Sequence, residues 1–417
     1  MRIAYLCADF GIPIRGDKGA SVHVREVVAA LAAQGHDIRV FSPNPGTGNP
    51  LAAPLHVIGS DGLPALGGRV TRMIAHRRYP RLDKETRELT YNLTLYRHAR
   101  TIFRSWRPEI IYERYSLFNV AGLTLARRLG VPHLLEVNAP LRIERARTKG
   151  ITLEPVARLV ERRLFGGGDA VLVVSEALRR YAVARGARPT HTHVLANAVD
   201  TVRFHPGADM AARARWGLPP DALVVGFAGS LKPWHGVETL LGAFALLQPQ
   251  APEARLLIVG TGPREAEIRT HAGELGLGAA AVFTGAVAHD AMPGLLAAMD
   301  IGVAPYLAVP DFYFSPLKLY EYMAAGLAVV ASEAGEIPTL VRDGHTGLLC
   351  PPGDVTALAA ALLRLARDPA LRQRLGMAAR VEAERHTWAA NARAIVELAG
   401  APRIGHADGA APAWGRP

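Results

Sequence analysis

The stretch Asp311–Asp354, DFYFSPLKLYEYMAAGLAVVASEAGEIPTLVRDGHTGLLCPPGD, carries the densest signal in the 417-residue chain. Ser315-Pro316 reads as a helix N-cap followed by proline at the first helical position. The free amides near Leu317 and Lys318 then suit an anion. Lys318 places a positive charge in the first turn, where cations are unfavourable unless an anion is also there. Glu321 follows three residues on, about one turn along the same face, where a carboxylate accepts hydrogen bonds from two vicinal hydroxyls, as on a ribose. Gly326 permits close packing before a buried strand, Val329–Ser332. The plainer reading of this segment is a helix with an i,i+3 Lys318–Glu321 surface pair.

Working outward, apolar runs alternate with helical patterns over the whole chain. Ile3–Ala8, Ile38–Ser42, Ile110–Glu113, Leu134–Val137 and Val171–Ser175 read as strands of the first half. Leu223–Ala228, Leu256–Gly260, Val282–Gly285 and Ile301–Ala304 join Val329–Ser332 in the second. Helices fall between them, among them Val22–Gln34, Leu117–Leu129, Val237–Leu247 and Met292–Ala298. Such alternation produces crossover units and parallel sheets covered on both faces. The fold class is therefore α/β, with two doubly wound, Rossmann-like domains facing across a cleft. Boundaries are expected at 1–200 for the first domain and 201–375 for the second. Residues 376–400 are expected to form a helix returning to the first, and 401–417 a disordered tail.

In open parallel sheets ligands bind beyond the carboxyl ends of strands, so site chemistry is expected at the strand ends. Gly229–Leu241, GSLKPWHGVETLL, ends the first strand of the second half. Gly229 gives a tight turn, Lys232 and His235 bring positive or donor groups, and Gly236 opens a helix. This layout cradles phosphate, although an ordinary strand–helix connection reads similarly. Gly16–His23, GDKGASVH, repeats the theme in the first half, with Gly16, Lys18 and Gly19 in the loop and Ser21 as an N-cap. Gly260 and Gly262 in VGTGPRE supply only a Gly-x-Gly fragment. His23, His36, His133, His193 and His289 are scattered without metal-ligand spacing and read as structural or surface residues.

Charge separates the halves. Residues 1–200 hold 30 Lys and Arg against 17 Asp and Glu, and the remainder 18 against 20, giving the net +11. Between Arg69 and Arg107 there are 11 basic and 3 acidic side chains, interleaved with Ile74, Tyr79, Leu82, Leu89, Tyr91, Leu95 and Phe103. A solvated helical face fits this pattern, and so does a surface docking on anionic membrane. The two cysteines, Cys7 and Cys350, lie in apolar runs and read as buried thiols of a reducing compartment. The N-terminal apolar run is too short for a secretory leader. A cytoplasmic protein is expected, with peripheral contact at the inner membrane face as an extension.

Together these segments resemble the retaining glycosyltransferases of family 4, which have the GT-B fold. KGASVHVREVVAALAAQGHDIRVFSP resembles the family's first loop and helix. VVSEALRRY and LANAVDTVRFHP resemble its domain junction, and SPLKLYEYMAAGLAVVASEAGEIPTLVRDGHTGLLCPPGD its donor motif. The resemblance implies transfer of a sugar from a nucleoside diphosphate sugar to an acceptor hydroxyl, in glycan, polysaccharide or glycolipid synthesis. It implies that Glu321 binds the ribose and that the Gly229–Gly236 loop meets the diphosphate. The position of the family's hexose-contacting glutamate is Tyr313 here. The diphosphate-binding Arg and Lys fall at Ser230 and His235, and the first-domain histidine falls near Asn138. Lys232, Lys318 and the amides of Ser315 and Leu317 stand in for the missing charge. No metal and no nucleic-acid partner are implied.

Alternatives are a sugar-nucleotide epimerase or phosphorylase of the same architecture, or a non-catalytic basic binding protein. A dinucleotide-dependent oxidoreductase would want a full Gly-x-Gly-x-x-Gly after the first strand, which is missing.

Overall fold

The computed structural model describes residues 1–59, 66, 79, 81–207, 210–310 and 312–401. The first sheet contains β1 (Arg2–Cys7), β2 (Asp37–Ser42), β3 (Leu55–Val57), β4 (Ile110–Arg114), β5 (His133–Val137), β6 (Ala170–Val173) and β7 (Thr192–Val194). Its spatial order is β3-β2-β1-β4-β5-β6-β7 and every pairing is parallel. The second sheet contains β8 (Val224–Ala228), β9 (Arg255–Val259), β10 (Ala281–Gly285), β11 (Ile301–Ala304), β12 (Ala328–Ser332) and β13 (Leu348–Cys350). It repeats the order as β10-β9-β8-β11-β12-β13, again all parallel.

The central strands are buried along nearly their whole length because helices cover both faces, so they consist of continuous apolar runs such as Val224–Ala228. In each sheet the winding direction reverses between two adjacent strands, β1 and β4 in the first and β8 and β11 in the second. The carboxyl ends of those strands are where a doubly wound sheet opens a crevice. The loops after β8 and β11 are the Gly229–Gly236 turn and the segment leading to the helix Leu317–Ala324.

Several expected element ends shift for local reasons. The helix expected from Leu117 starts at Ala121, because Phe118 is fully buried in the left-handed region with φ 69°. Ser175 lies beyond β6 as the N-cap of the helix Glu176–Val183, accepting from the Leu178 amide at 3.2 Å. Ser21 sits inside the helix Gly19–Ala33, whose N-cap is Lys18. Three-residue strands β3, β7 and β13 extend the sheets beyond the runs read from sequence.

After β13 the chain forms three helices, Val355–Arg367, Pro369–Ala383 and Trp388–Gly400, each opened by a side-chain cap from Asp354, Asp368 or Thr387. Pro369–Ala383 stays on the second domain, where Leu371 and Leu375 join one core cluster and Ala379 and Ala383 another. The crossing starts only at Thr387, which bridges to Val199. Trp388, Ala392, Ile395 and Ala399 then pack with Val24, Val27 and Val28 of the first domain. The tail from residue 402 lies outside the described residues, as do Arg69, Arg72, Ile74, Arg77, Arg78 and Asp311.

The helix Leu82–Ser105 settles the role of the apolar side chains in the basic segment. Tyr91, Leu95 and Phe103 are buried in the core under β1 and β4, so this face packs inward together with Asp83 and Glu85, while Lys84, Arg97, Arg100 and Arg104 are exposed. Among the described residues, no helix is long and apolar enough to cross a membrane.

Candidate functional site

The site is built on the helix Leu317–Ala324 at the winding reversal of the second sheet. Leu319, Tyr320, Tyr322 and Met323 anchor it in the core, and the Tyr322 hydroxyl accepts from the Ala228 amide at 2.6 Å. That bond ties the helix to the end of β8 and brings Lys318 against the Gly229 turn. The expected Ser315 cap does not form. Pro316 occupies the N-cap position and the helix begins at Leu317. Ser315 instead faces the first domain, its Oγ accepting from the Asn197 amide at 2.9 Å while its carbonyl accepts from Asn197 Nδ2. Competition from an interdomain partner has taken the hydroxyl away from the helix.

Lys318 and Glu321 point into different surroundings rather than forming a surface pair. Lys318 is 8% exposed; its Nζ lies 3.9 Å from the ring centre of Phe227 and 5.3 Å from that of Tyr306. It makes no hydrogen bond. Burial pulls its pKa down to about 7, against a smaller opposing effect of Glu321. A β-carbon built on Gly229 would stand 2.8 Å from Nζ, so a side chain there would press on the ammonium.

Glu321 faces the cleft, where its Oε1 lies 3.0 Å from His289 Nε2. Arg203 Nη2 donates to His289 Nδ1 at 2.9 Å, which leaves Nε2–H to donate to Glu321. The same Arg203 nitrogen is 3.0 Å from Glu26 of the first domain. The His289 amide reaches Asp17 Oδ1 at 3.4 Å, and the position of Gly19 abuts Leu317. The first-domain loop of Gly16, Lys18 and Gly19 is thereby brought over the start of the donor helix. His289 was read from sequence as structural; its place beyond the carboxyl end of β10 is the signal that pointed here.

The Gly229–Gly236 turn is a rigid frame. Gly236 adopts φ 66°, and a β-carbon on it would fall 1.8 Å from the Pro305 carbonyl, which fixes the spacing of the two loops. Leu307 donates its amide to Trp234 at 3.1 Å across the same gap. Gly260 and Gly262 lie behind this turn, packed on Gly229 and Leu231. His235 supplies no positive charge. Burial, followed by the nearby Lys318, lowers its pKa to about 3, and its Nδ1 donates to the Ser230 carbonyl. Lys232 is exposed and stands 5.0 Å from the Trp234 ring centre. Tyr313 turns away from the donor helix. Its hydroxyl donates to Glu144 of the first domain, and its carbonyl accepts from Ser175 Oγ at 2.9 Å.

Across the cleft, Asn138 follows β5 and donates through Nδ2 to Glu136. Glu136 is buried and also accepts from Arg114 Nη1 at 2.5 Å and from the Tyr112 hydroxyl at 2.7 Å. His23 Nε2 is 3.2 Å away, and its Nδ1 is 2.8 Å from Asn197 Oδ1. Burial alone would raise the Glu136 carboxyl; the charges of His23 and Arg114 outweigh it and hold the group well below the usual carboxylate range. A polar chain thus runs from Arg114 through Glu136, His23 and Asn197 to Ser315. Sequence reading found Ser315 at one end and Asn138 beside Glu136, and missed Glu136 itself, a charged residue within the apolar run LLEV. Among the described residues, no three His, Cys, Asp or Glu side chains gather as they would around a metal ion.

Two doubly wound domains closed over one cleft, with a carboxylate and a buried lysine on the switch helix of the second, define the GT-B class. Residues 222–368 match the family model for glycosyl transferases group 1, and residues 18–198 match the glycosyl transferase 4-like domain. The chain is 31% identical to the D-inositol 3-phosphate glycosyltransferase of Streptomyces bingchenggensis, covering 93% of this chain and 85% of that protein. Among solved structures it resembles sucrose-phosphate synthase from Thermosynechococcus elongatus, with TM-score 0.72, 24% identity, and coverage of 95% of this chain and 98% of that one. Anabaena HepE in complex with UDP and glucose aligns with TM-score 0.68 and 19% identity over 95% and 98% of the two chains. The chain belongs to the family 4 glycosyltransferases. It is a retaining glycosyltransferase that uses a nucleotide-sugar donor.

Proposed function

We propose that the donor's ribose is held by Glu321 and its diphosphate by Lys318, the amides of Ser315 and Leu317 at the start of the helix and the Gly229–Gly236 turn, with Lys232 at the rim. The observation that carries this reading is the pairing of opposite charges on one short helix, Lys318 beside the Gly229 turn and Glu321 toward the cleft. Bond breaking at the anomeric carbon places negative charge on the leaving diphosphate. A cation and oriented amides already in position stabilise that charge without reorganisation. In this reading the protein's own groups do that work. The acceptor hydroxyl then attacks from the face the diphosphate leaves, the departing phosphate oxygen taking its proton.

The first domain supplies the acceptor side, around Asn138 and the Gly16–Gly19 loop. The positive excess of residues 1–200 supports an anionic acceptor, in keeping with the phosphorylated compound in the name of the Streptomyces relative. Contact with Glu321 requires that His289 release it or share it, so donor entry involves rearrangement of the Arg203–His289–Glu321 chain. A thermal-shift panel of nucleoside diphosphates and their sugars tests the reading. A ligand that binds only the folded state raises its melting temperature. At least one nucleotide is expected to raise it, and a panel with no response would remove the basis for a donor site here.

A further inference from the structure

The Lys318 amine stands out among the buried cationic groups of the described residues. Arg114 is closed by Glu136 at 2.5 Å, and Arg213 by Asp300 at 3.0 Å together with three backbone carbonyls. Lys318 has no such closure: Nζ is sealed from solvent and bonded to nothing. Its walls are aromatic faces, Phe227 from β8 and Tyr306 from the loop after β11. The charged and titratable groups around it come from three elements. The Gly229 turn contributes Lys232 and His235, the β11 loop Tyr306, and its own helix Glu321 and Tyr322. Of these, the one carboxylate is Glu321, and its Oε1 is engaged by His289.

We propose that donor binding is coupled to the uptake of one proton by Lys318, which is a neutral amine in the free enzyme and an ammonium against the donor's diphosphate. This rests on the placement of the diphosphate beside Lys318 given above. A buried amine without an anion is destabilised as a cation, because it has lost its water shell and gained no partner. A diphosphate arriving at the Gly229 turn supplies both the opposing charge and the hydrogen-bond acceptors. The proton comes from solvent and remains on Nζ while the nucleotide is bound; no bond other than N–H is formed. The lowering of the Lys318 pKa to about 7 puts this exchange within the physiological range. His235 does not contribute, since its pKa of about 3 keeps it neutral throughout.

Isothermal titration of the full chain with UDP at pH 8, in buffers of different ionisation enthalpy, reads the proton count directly. At this pH the terminal phosphate, whose last ionisation lies at about pH 6, is already fully charged and releases nothing. Uptake close to one proton per UDP bound is expected. The Kd should rise about tenfold between pH 8 and pH 9, since binding then requires a proton that free enzyme lacks. Lys318→Met keeps the apolar packing of the stem and should bind UDP more weakly, with no proton uptake and a Kd flat over that range. If UDP binds the native chain with no buffer-dependent heat and a flat Kd, proton coupling is overturned while the donor site stands. If neither UDP nor GDP nor ADP binds at any pH, the donor site itself is refuted, and the coupling with it.

Discussion

Each domain buries an ionisable group near the winding reversal of its sheet, Glu136 in the first and Lys318 in the second, and the two are treated in opposite ways. Glu136 in the first sheet is surrounded by Arg114, Tyr112, His23 and Asn138, and is held firmly ionised. Lys318 in the second is equally sealed but makes no hydrogen bond. A satisfied buried charge fixes geometry, because every rotamer around it is committed. An unsatisfied one costs stability, and such a cost persists where a ligand completes the site. On the proposed reading, the first domain is a preset surface for the acceptor, and the second is finished only by its donor.

Substitutions can break this contrast. The largest effect is expected at Glu136: Glu136→Ala leaves Arg114 buried without its anion and should cost about 3–5 kcal/mol in chemical denaturation. A cost below about 1 kcal/mol would show that the first-sheet cluster is not the fixed element described. At Lys318 the sign should reverse. The folded-state pKa is lowered to about 7, so the unfolded chain binds the extra proton between that pH and the ordinary lysine range. Native stability should therefore rise with pH through this window, at up to about 1.4 kcal/mol per pH unit. Lys318→Met should abolish that rise and be the more stable protein at pH 6; equal pH profiles for the two would contradict it. The smallest effect is expected at Arg203, which is 29% exposed in its pair with Glu26. Arg203→Ala should change stability by less than about 1 kcal/mol. It should alter donor affinity more visibly, because it frees His289 from one side, and calorimetric titration would show whether that separation holds.

How much was legible in the sequence follows the same division. The central strands announce themselves as apolar runs because both faces are covered, and Val237–Leu247 begins and ends where its pattern does. Edge strands of three residues carry too little pattern to be seen, as at Leu55–Val57. The donor helix was visible from Pro316 and Gly326, and the two charges on it from their spacing. What surrounds them was not. His289 meets Glu321 across 32 positions, and Asn197 takes the Ser315 hydroxyl across 118. The first pairing is set by how loops of the second domain pack together and the second by the closing of two domains, and neither leaves a periodic mark on its segment. Tyr313 shows the limit of transferring a role by position, since its hydroxyl serves the interdomain contact with Glu144.

The central claim is that the nucleotide is held by the second domain's switch helix. Titration of UDP, GDP and ADP into the native chain, Glu321→Ala and Glu136→Gln tests it most directly. Two hydrogen bonds to a carboxylate at about 1.5–3 kcal/mol each correspond to at least a hundredfold loss of affinity in Glu321→Ala. The affinity of Glu136→Gln should stay within a few-fold of native for the same nucleotide. Unchanged affinity in Glu321→Ala, with the loss appearing in Glu136→Gln instead, would place the nucleotide on the first domain and contradict the account.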